Sequence, residues 1–211
     1  MSSIKQWARA RRVAGLFCAA MLLAGCSVLD KPMRSVVFDF GPAAPSAAAP
    51  MSATPRQAIA LAEVEATSAL DSTAVLYRLV YADAQQLQPY AQARWSMPPA
   101  QLLRQRLRQS LVQHTLVTRE GDMATLRPLV LRLELDEFSQ WFDAPGRSVG
   151  QVRVHATVLQ NSVDGERLLA QRGFVAQRPA PSADAAGGVR ALTAATDAVV
   201  AEIAQWMSDL K

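Results

Sequence analysis

Two cysteines and two histidines are the side chains of this 211-residue chain best suited to covalent or metal chemistry. Cys26 closes a short apolar run in the stretch LLAGCSVLD, and Cys18 lies inside that run. A cysteine so placed is half of a disulfide, a metal ligand, a nucleophile or a point of covalent attachment. His114 and His155 stand 41 residues apart in unrelated stretches. His114 falls near the end of a helical pattern, where a cation suits the dipole. His155 falls on the polar side of an alternating pattern, so both are read as surface residues. Asp136 and Glu137 are adjacent carboxylates on an alternating stretch, where neighbours point to opposite faces. They are therefore poorly placed to act together as acid and base. They mark instead a bulge that shifts the inward phase, because Phe138 would otherwise face outward. There is no G-x-S-x-G, no H-E-x-x-H and no glycine-rich phosphate loop. The expectation is no enzyme, no metal site and no cofactor beyond whatever Cys26 carries.

The surroundings of Cys26 narrow its role. Lys5, Arg9, Arg11 and Arg12 make a basic start without an acid, and Val13 to Leu23 is an apolar run of 11 residues. A membrane span needs about 20 such residues, whereas this length suits the core of a secretory signal. Residues 1–25 are thus read as a signal peptide. Leu23-Ala24-Gly25-Cys26 resembles the lipobox of bacterial lipoproteins, in which the cysteine is lipidated and begins the mature chain. The alternative is an ordinary secretory signal that leaves Cys26 free. Either way Cys18 leaves with the signal, and no pair remains for a disulfide. The charge balance changes too. The chain has 22 basic and 18 acidic residues, and losing the four basic residues of the signal leaves 18 of each. A nucleic-acid binder needs a basic excess to neutralise phosphates, and none remains.

The elements that must carry any site follow from periodicity. Residues 26–34 form a tether, and 35–211 are long enough for a single domain that stands on its core alone. Val36, Phe38 and Phe40 alternate as a first strand. Residues 41–55 hold four of the 12 prolines and read as a loop. Ile59 to Val64 and Val75 to Tyr81 are further strands, and the chain turns back near Asp83 toward Leu87 to Ala93. Ser96-Met97-Pro98-Pro99 starts a helix, with prolines where no N–H is needed. Leu102, Leu103, Leu107 and Leu111 share one side of it. Arg106 falls within that apolar arc and either snorkels to its edge or pairs with a buried acid. Leu129, Leu131, Leu133 and Leu135 alternate with polar residues, as do Val152, Val154, Ala156 and Val158. Leu168, Ala170, Phe174 and Ala176 form the inner face of a third strand. Turns at Pro145-Gly146 and Asp164-Gly165 make these an antiparallel meander. After Gly187-Gly188, the seam Val189, Leu192, Thr196, Val199, Ile203, Trp206 and Leu210 predicts a long helix laid on that sheet. The expected fold class is α/β (α+β): a single domain, a mixed and largely antiparallel sheet, and two main helices packed on it.

Residues 77–111, YRLVYADAQQLQPYAQARWSMPPAQLLRQRLRQSL, carry a family likeness. Tyr77, Arg78 and Leu79 on a strand precede Pro89-Tyr90, Arg94-Trp95, the pair Pro98-Pro99 and a helix rich in leucine and glutamine. This pattern resembles the ABC-type transport auxiliary lipoprotein family. The downstream strand, the Pro-Gly turn, the hairpin and the alanine-rich last helix fit in order. The resemblance implies a mixed α/β domain on the periplasmic side of a membrane. It also implies MCE-domain proteins and ABC transporter subunits as partners in moving lipids across the envelope. In some such systems the lipoprotein is a homo-oligomeric ring that docks the MCE assembly at the outer membrane. Ser27 after the cysteine points to outer-membrane sorting under the usual rule. The alternative function is a structural or assembly lipoprotein without a transport partner. A third is a lipid carrier.

Two groups of residues are candidates for binding a partner. Phe138, Trp141 and Phe142 crowd a strand end before Pro145-Gly146. They either present an aromatic tip to lipid or protein, or extend the core under the last helix. Arg94 and Trp95 precede the first helix, with Tyr90 nearby. They either make an interface or a cation–π contact, or hold the loop before the helix.

Overall fold

The structure, a computed structural model, describes residues 34–42, 58–112, 115, 117–119, 129–162 and 165–210. The signal segment, Cys26, the tether up to residue 33, the loop from residue 43, His114 and Asp164 lie outside the described residues. In chain order the elements are β1 (Val36–Phe38), β2 (Ile59–Ala66), β3 (Ala74–Leu79), β4 (Leu87–Trp95), α1 (Pro99–Val112), β5 (Val117–Arg119), β6 (Leu129–Ala144), β7 (Arg147–Ser162), β8 (Gly165–Pro179) and α2 (Ala185–Asp209). Among the described residues no helix is long and apolar enough to cross a membrane.

The sheet is built outward from β6. Along one edge β6 pairs antiparallel with β7 from Leu129↔Gln160 to Ala144↔Arg147, and β7 pairs antiparallel with β8. The other edge of β6 is shared. Its first half takes β2 in parallel, from Ile59↔Leu129 to Ala66↔Leu135. Its second half takes β3 in parallel, from Tyr77↔Gln140 to Leu79↔Phe142. Beyond β2 lies β5, and beyond β3 lie β4 and then β1. The mixed sheet therefore forks, and its long pairings are the antiparallel ones. The fork falls where the β6–β7 register shifts between Leu135 and Glu137. This is the bulge that the sequence placed at Asp136-Glu137. Across it the buried side chains pass from Leu129, Leu131, Leu133 and Leu135 to Phe138 and Phe142, and so the strand runs on for 16 residues.

Both helices lie on one face of this sheet. α1 buries Leu102, Leu103, Leu107 and Leu111 against β2 and α2. α2 buries Val189, Leu192, Thr196, Val199, Ile203 and Trp206 of the expected seam over β6, β7 and β8, while Leu210, the last seam residue, lies just past the helix as its C-cap and is half-buried. Thr196 meets its own needs there by donating to the Leu192 carbonyl at 2.8 Å. Glu134, Asp136, Arg153 and His155 stand exposed on the opposite, uncovered face.

Two expectations are corrected, and one strand is added. Leu168 does not face the core and is 55% exposed. Ala170 pairs with Val158 but Leu168 pairs with Leu159, so Leu169 is an extra residue and the phase flips at this bulge. α2 does not begin after Gly187-Gly188. Asp184 is its N-cap, its carboxylate accepting the Gly187 N–H at 2.6 Å and the Ser182 hydroxyl at 2.8 Å. The Gly187 N–H bond is the main reason its carboxyl is held below the usual range. The two glycines sit inside the first turn because of what they touch. A Cβ on Gly187 would collide with the Ser182 carbonyl, and one on Gly188 with the Gln140 side chain. Finally, β5 occupies residues 117–119, a stretch too short for any period to announce it.

α2 comes close to the sheet at Gly150 on β7. A Cβ there would stand 2.5 Å from the backbone of Ala191 and Leu192. Gly150→Ala is expected to lower unfolding free energy by about 1–3 kcal/mol, read as a lower urea midpoint at unchanged slope. Gly173→Ala, whose Cβ would meet only His155 at 3.6 Å, serves as the near-neutral control.

Candidate functional site

The residues singled out from the sequence converge on the β3–β6 side of the fork, but the sheet divides them between its two faces. On the helix face, Tyr77 and Tyr90 stack with centroids 4.6 Å apart, and Phe142 meets Tyr77 edge-on at 6.1 Å. The Tyr90 hydroxyl donates to Gln140 Oε1 at 2.8 Å, and Gln140 Nε2 donates to the Ser148 hydroxyl at 2.7 Å. Tyr77 donates to Gln88 at 2.7 Å. This polar chain runs under the first turn of α2, where Gly188 lies against Gln140. Burial, with smaller contributions from Tyr77 and Asp184, pushes the Tyr90 hydroxyl from its ordinary 10 up to about 12.

Trp95, Phe138 and Phe142 belong to the core and cannot meet a partner as the chain stands, which corrects the expectation of binding for these three. Trp95 is 2% exposed and Phe138 1%. The two rings meet each other at 5.6 Å, and Phe40 packs against both. The alternation of β6 explains the split. Phe138 and Phe142 turn inward while Trp141 points to the opposite face, half-buried, with its indole N–H donating to the Ser139 hydroxyl at 2.9 Å. Arg94 does not cover Trp95. Its guanidinium donates back to the carbonyls of Tyr90 at 2.6 Å and Ala93 at 2.8 Å. Of the six candidates, Tyr90, Arg94 and Trp141 keep accessible surface.

The structure adds groups that the sequence reading did not join. Glu137 is buried beside the fork. It pairs with Arg78 at 3.2 Å and accepts from the Ser139 hydroxyl at 2.7 Å and the Phe138 N–H at 3.2 Å. Arg78 also donates to the Ala84 and Gln85 carbonyls and so ties the β3–β4 turn to β6. Both residues were visible, one in the Tyr-Arg-Leu pattern and one at the bulge. Their parallel pairing across 59 residues was not. Arg106 resolves the two alternatives left open for it by pairing with an acid. It lies buried between the helices, donates to the Phe40 carbonyl at 2.5 Å, and pairs with Asp197 of α2 at 3.2 Å. Burial raises the Asp197 carboxyl, and Arg106 offsets only part of that. An open groove of about 500 Å³ lies between Val37–Gly41 and the Val189–Asp197 side of α2.

His155 contacts Asp136 at 3.1 Å on the exposed face. Among the described residues no three His, Cys, Asp or Glu side chains converge as a metal site would need. The arrangement places accessible aromatic and guanidinium groups beside buried polar ones.

The sequence pattern of the ABC-type transport auxiliary lipoprotein component matches residues 38–204. Among solved structures, the chain is similar to protein XCC0632 from Xanthomonas campestris. That likeness has 21% identity and a TM-score of 0.62 over 82% of this chain and 92% of that one. It is also similar to protein CT253 from Chlamydia trachomatis, with 10% identity and a TM-score of 0.52 over 74% and 97%. At these identities the likeness is one of fold. No curated protein matches.

Two outcomes follow from this geometry. Folding holds Tyr90 protonated above the ordinary tyrosine value. The stability this contributes is complete below pH 10 and is lost as pH rises from 10 towards about 12. An alkaline absorbance titration should show one tyrosine ionising last, near 12, and Tyr90→Phe should lack that step. A late step that persists in the variant contradicts the assignment. Arg78→Met leaves Glu137 buried without its cation and is expected to cost about 2–3 kcal/mol in urea unfolding. The double change Arg78→Met with Glu137→Leu should recover part of that loss.

Proposed function

The chain belongs to the ABC-type transport auxiliary lipoprotein components, and from that premise we propose that it is a lipid-anchored, non-enzymatic auxiliary subunit of an envelope lipid-transport system. The observation that carries this is the match over residues 38–204, nearly the whole folded unit Ser35–Lys211. Cys26 is the attachment point, and Ser27 to Arg34 is the tether. Eight residues reach at most about 28 Å, so the domain works close to the membrane that holds its lipid. We assign that membrane to the outer membrane, with the domain facing the periplasm, and the partners to an MCE-domain protein and the ABC transporter subunits behind it. Tyr90, Arg94 and Trp141 are the docking residues. They supply the aromatic and arginine surface that interfaces favour; Tyr90 is held by Gln140 on the helix face, Trp141 by Ser139 on the opposite face, and Arg94 by the carbonyls of Tyr90 and Ala93.

Radiolabelled palmitate is expected to enter the wild-type protein and to be absent from Cys26→Ala; label that persisted in the variant would remove the anchor. Crosslinking in membranes should capture an MCE-domain protein, and Trp141→Ala should lower that yield without lowering the melting temperature. Capture of none, under conditions that trap other envelope complexes, overturns the transport role.

A further inference from the structure

We propose that the free edge of β8 binds an extended, acidic segment of another protein by strand addition. β8 is 15 residues long and, among the described residues, pairs only with β7. Its other edge presents a row of backbone N–H and C=O groups about 50 Å long, a ready template for another strand. The side chains along it are of two kinds. Seven large apolar residues are exposed among the described residues, and three of them, Leu168, Leu169 and Val175, lie on this strand. Arg167, Arg172 and Arg178 are the second kind.

Some of the described arginines pair with a carboxylate and others, Arg94 among them, do not. Arg78, Arg104, Arg106, Arg132 and Arg147 each pair with a carboxylate. Arg167, Arg172 and Arg178 pair with none among the described residues. Arg172 lies over the Phe174 ring at 5.0 Å, and Arg178 donates only to the Gln177 carbonyl. Their β7 partners are Gln160, Ala156 and Gly150, in line with the inward residues Leu129 and Leu133 and with the glycine under α2. All three therefore project on the helix side of the same edge. A guanidinium is shaped to take a carboxylate with two parallel N–H donors.

Charge selects the occupant. β8 has three arginines against one acid, Glu166, which is already paired with Arg132. Two copies of β8 set side by side would bring together two strands of like net charge, so a symmetric β8–β8 pair is disfavoured. An acidic strand satisfies the three guanidinium groups and the backbone edge together. Charge on an edge also serves merely to repel other strands. An edge guarded for that purpose would not leave Leu168 and Val175 open on the other face of the same strand. The inference goes beyond the auxiliary-subunit role and holds or fails without it.

The test uses the detergent-solubilised full chain and a fluorescent synthetic peptide of about fifteen residues that alternates valine and glutamate. A peptide with lysine for glutamate is the control. The glutamate peptide is expected to bind, to slow amide hydrogen exchange within residues 166–178, and to lose about tenfold or more in affinity when Arg167, Arg172 and Arg178 are all changed to glutamate. If that variant melts early, the single Arg178→Glu variant is read in its place, with a smaller loss in the same direction. No binding, equal binding of both peptides, or protection at another strand overturns the proposal. So does sedimentation showing a self-associated chain that the arginine changes dissociate.

Discussion

One strand edge must serve two neighbours, and the remainder of the structure follows from how β6 meets that demand. A regular 16-residue strand would present one unbroken parallel ladder to a single partner. The bulge after Leu135 breaks the ladder, turns the strand, and lets β2 end while β3 begins. Because Leu135 and Phe138 then face the same way, both halves of the fork pour their apolar side chains into one core beneath both helices. The extra residue, Asp136, turns its carboxylate to the exposed face beside His155, and the next carboxylate, Glu137, is buried and paired by Arg78.

Arginines recur wherever the layers join. Arg78 closes the fork. Arg104 reaches from α1 to the Ala62 carbonyl and Glu63 of β2. Arg106 links α1, α2 and the chain just past β1. Each junction is a place where backbone carbonyls would otherwise lose water without a partner. A guanidinium has donors enough to serve two or three acceptors at once. The apolar seams decide that the layers stack, and these planar groups decide at what offset. The glycines at 150, 187 and 188 then set the spacing, since each lies where a methyl group would strike a neighbour.

Much of this was legible from the residues alone. The alternation from Leu129 to Leu135 and from Val152 to Val158 is clear because one side is wet and the other covered. The α2 seam is clear because it repeats over six turns. The paired prolines marked the start of α1. What stayed hidden is non-local or depends on a single inserted residue. No turn announces the parallel pairing of β2 or β3 with β6. Leu168 looked inward because nothing in the sequence marks Leu169 as extra. Trp95 looked like an interface residue because its partners, Phe40 and Phe138, lie 55 and 43 residues away. The aromatic trio was legible as a group, but the β6 alternation splits it. The family likeness, drawn from residues 77–111, agrees with the match over 38–204, whereas burial of the side chains is set by neighbours distant in the chain.

The end of β1 also has a mechanical reading. Any pull along the residues before Ser35 enters the domain through a strand of three residues paired in parallel to β4. That short ladder is the first element to take the load. Just behind it the Asp39–Gly41 turn, closed by a 2.7 Å bond from the Gly41 N–H to Asp39, is gripped by Arg106, and Phe40 is wedged among aromatic rings. Tension that frees β1 thus reaches a clamp seated on the two helices before it reaches β6. The domain has a short first link and a firmer clamp behind it, so that a pull entering at Ser35 meets both before its central strand.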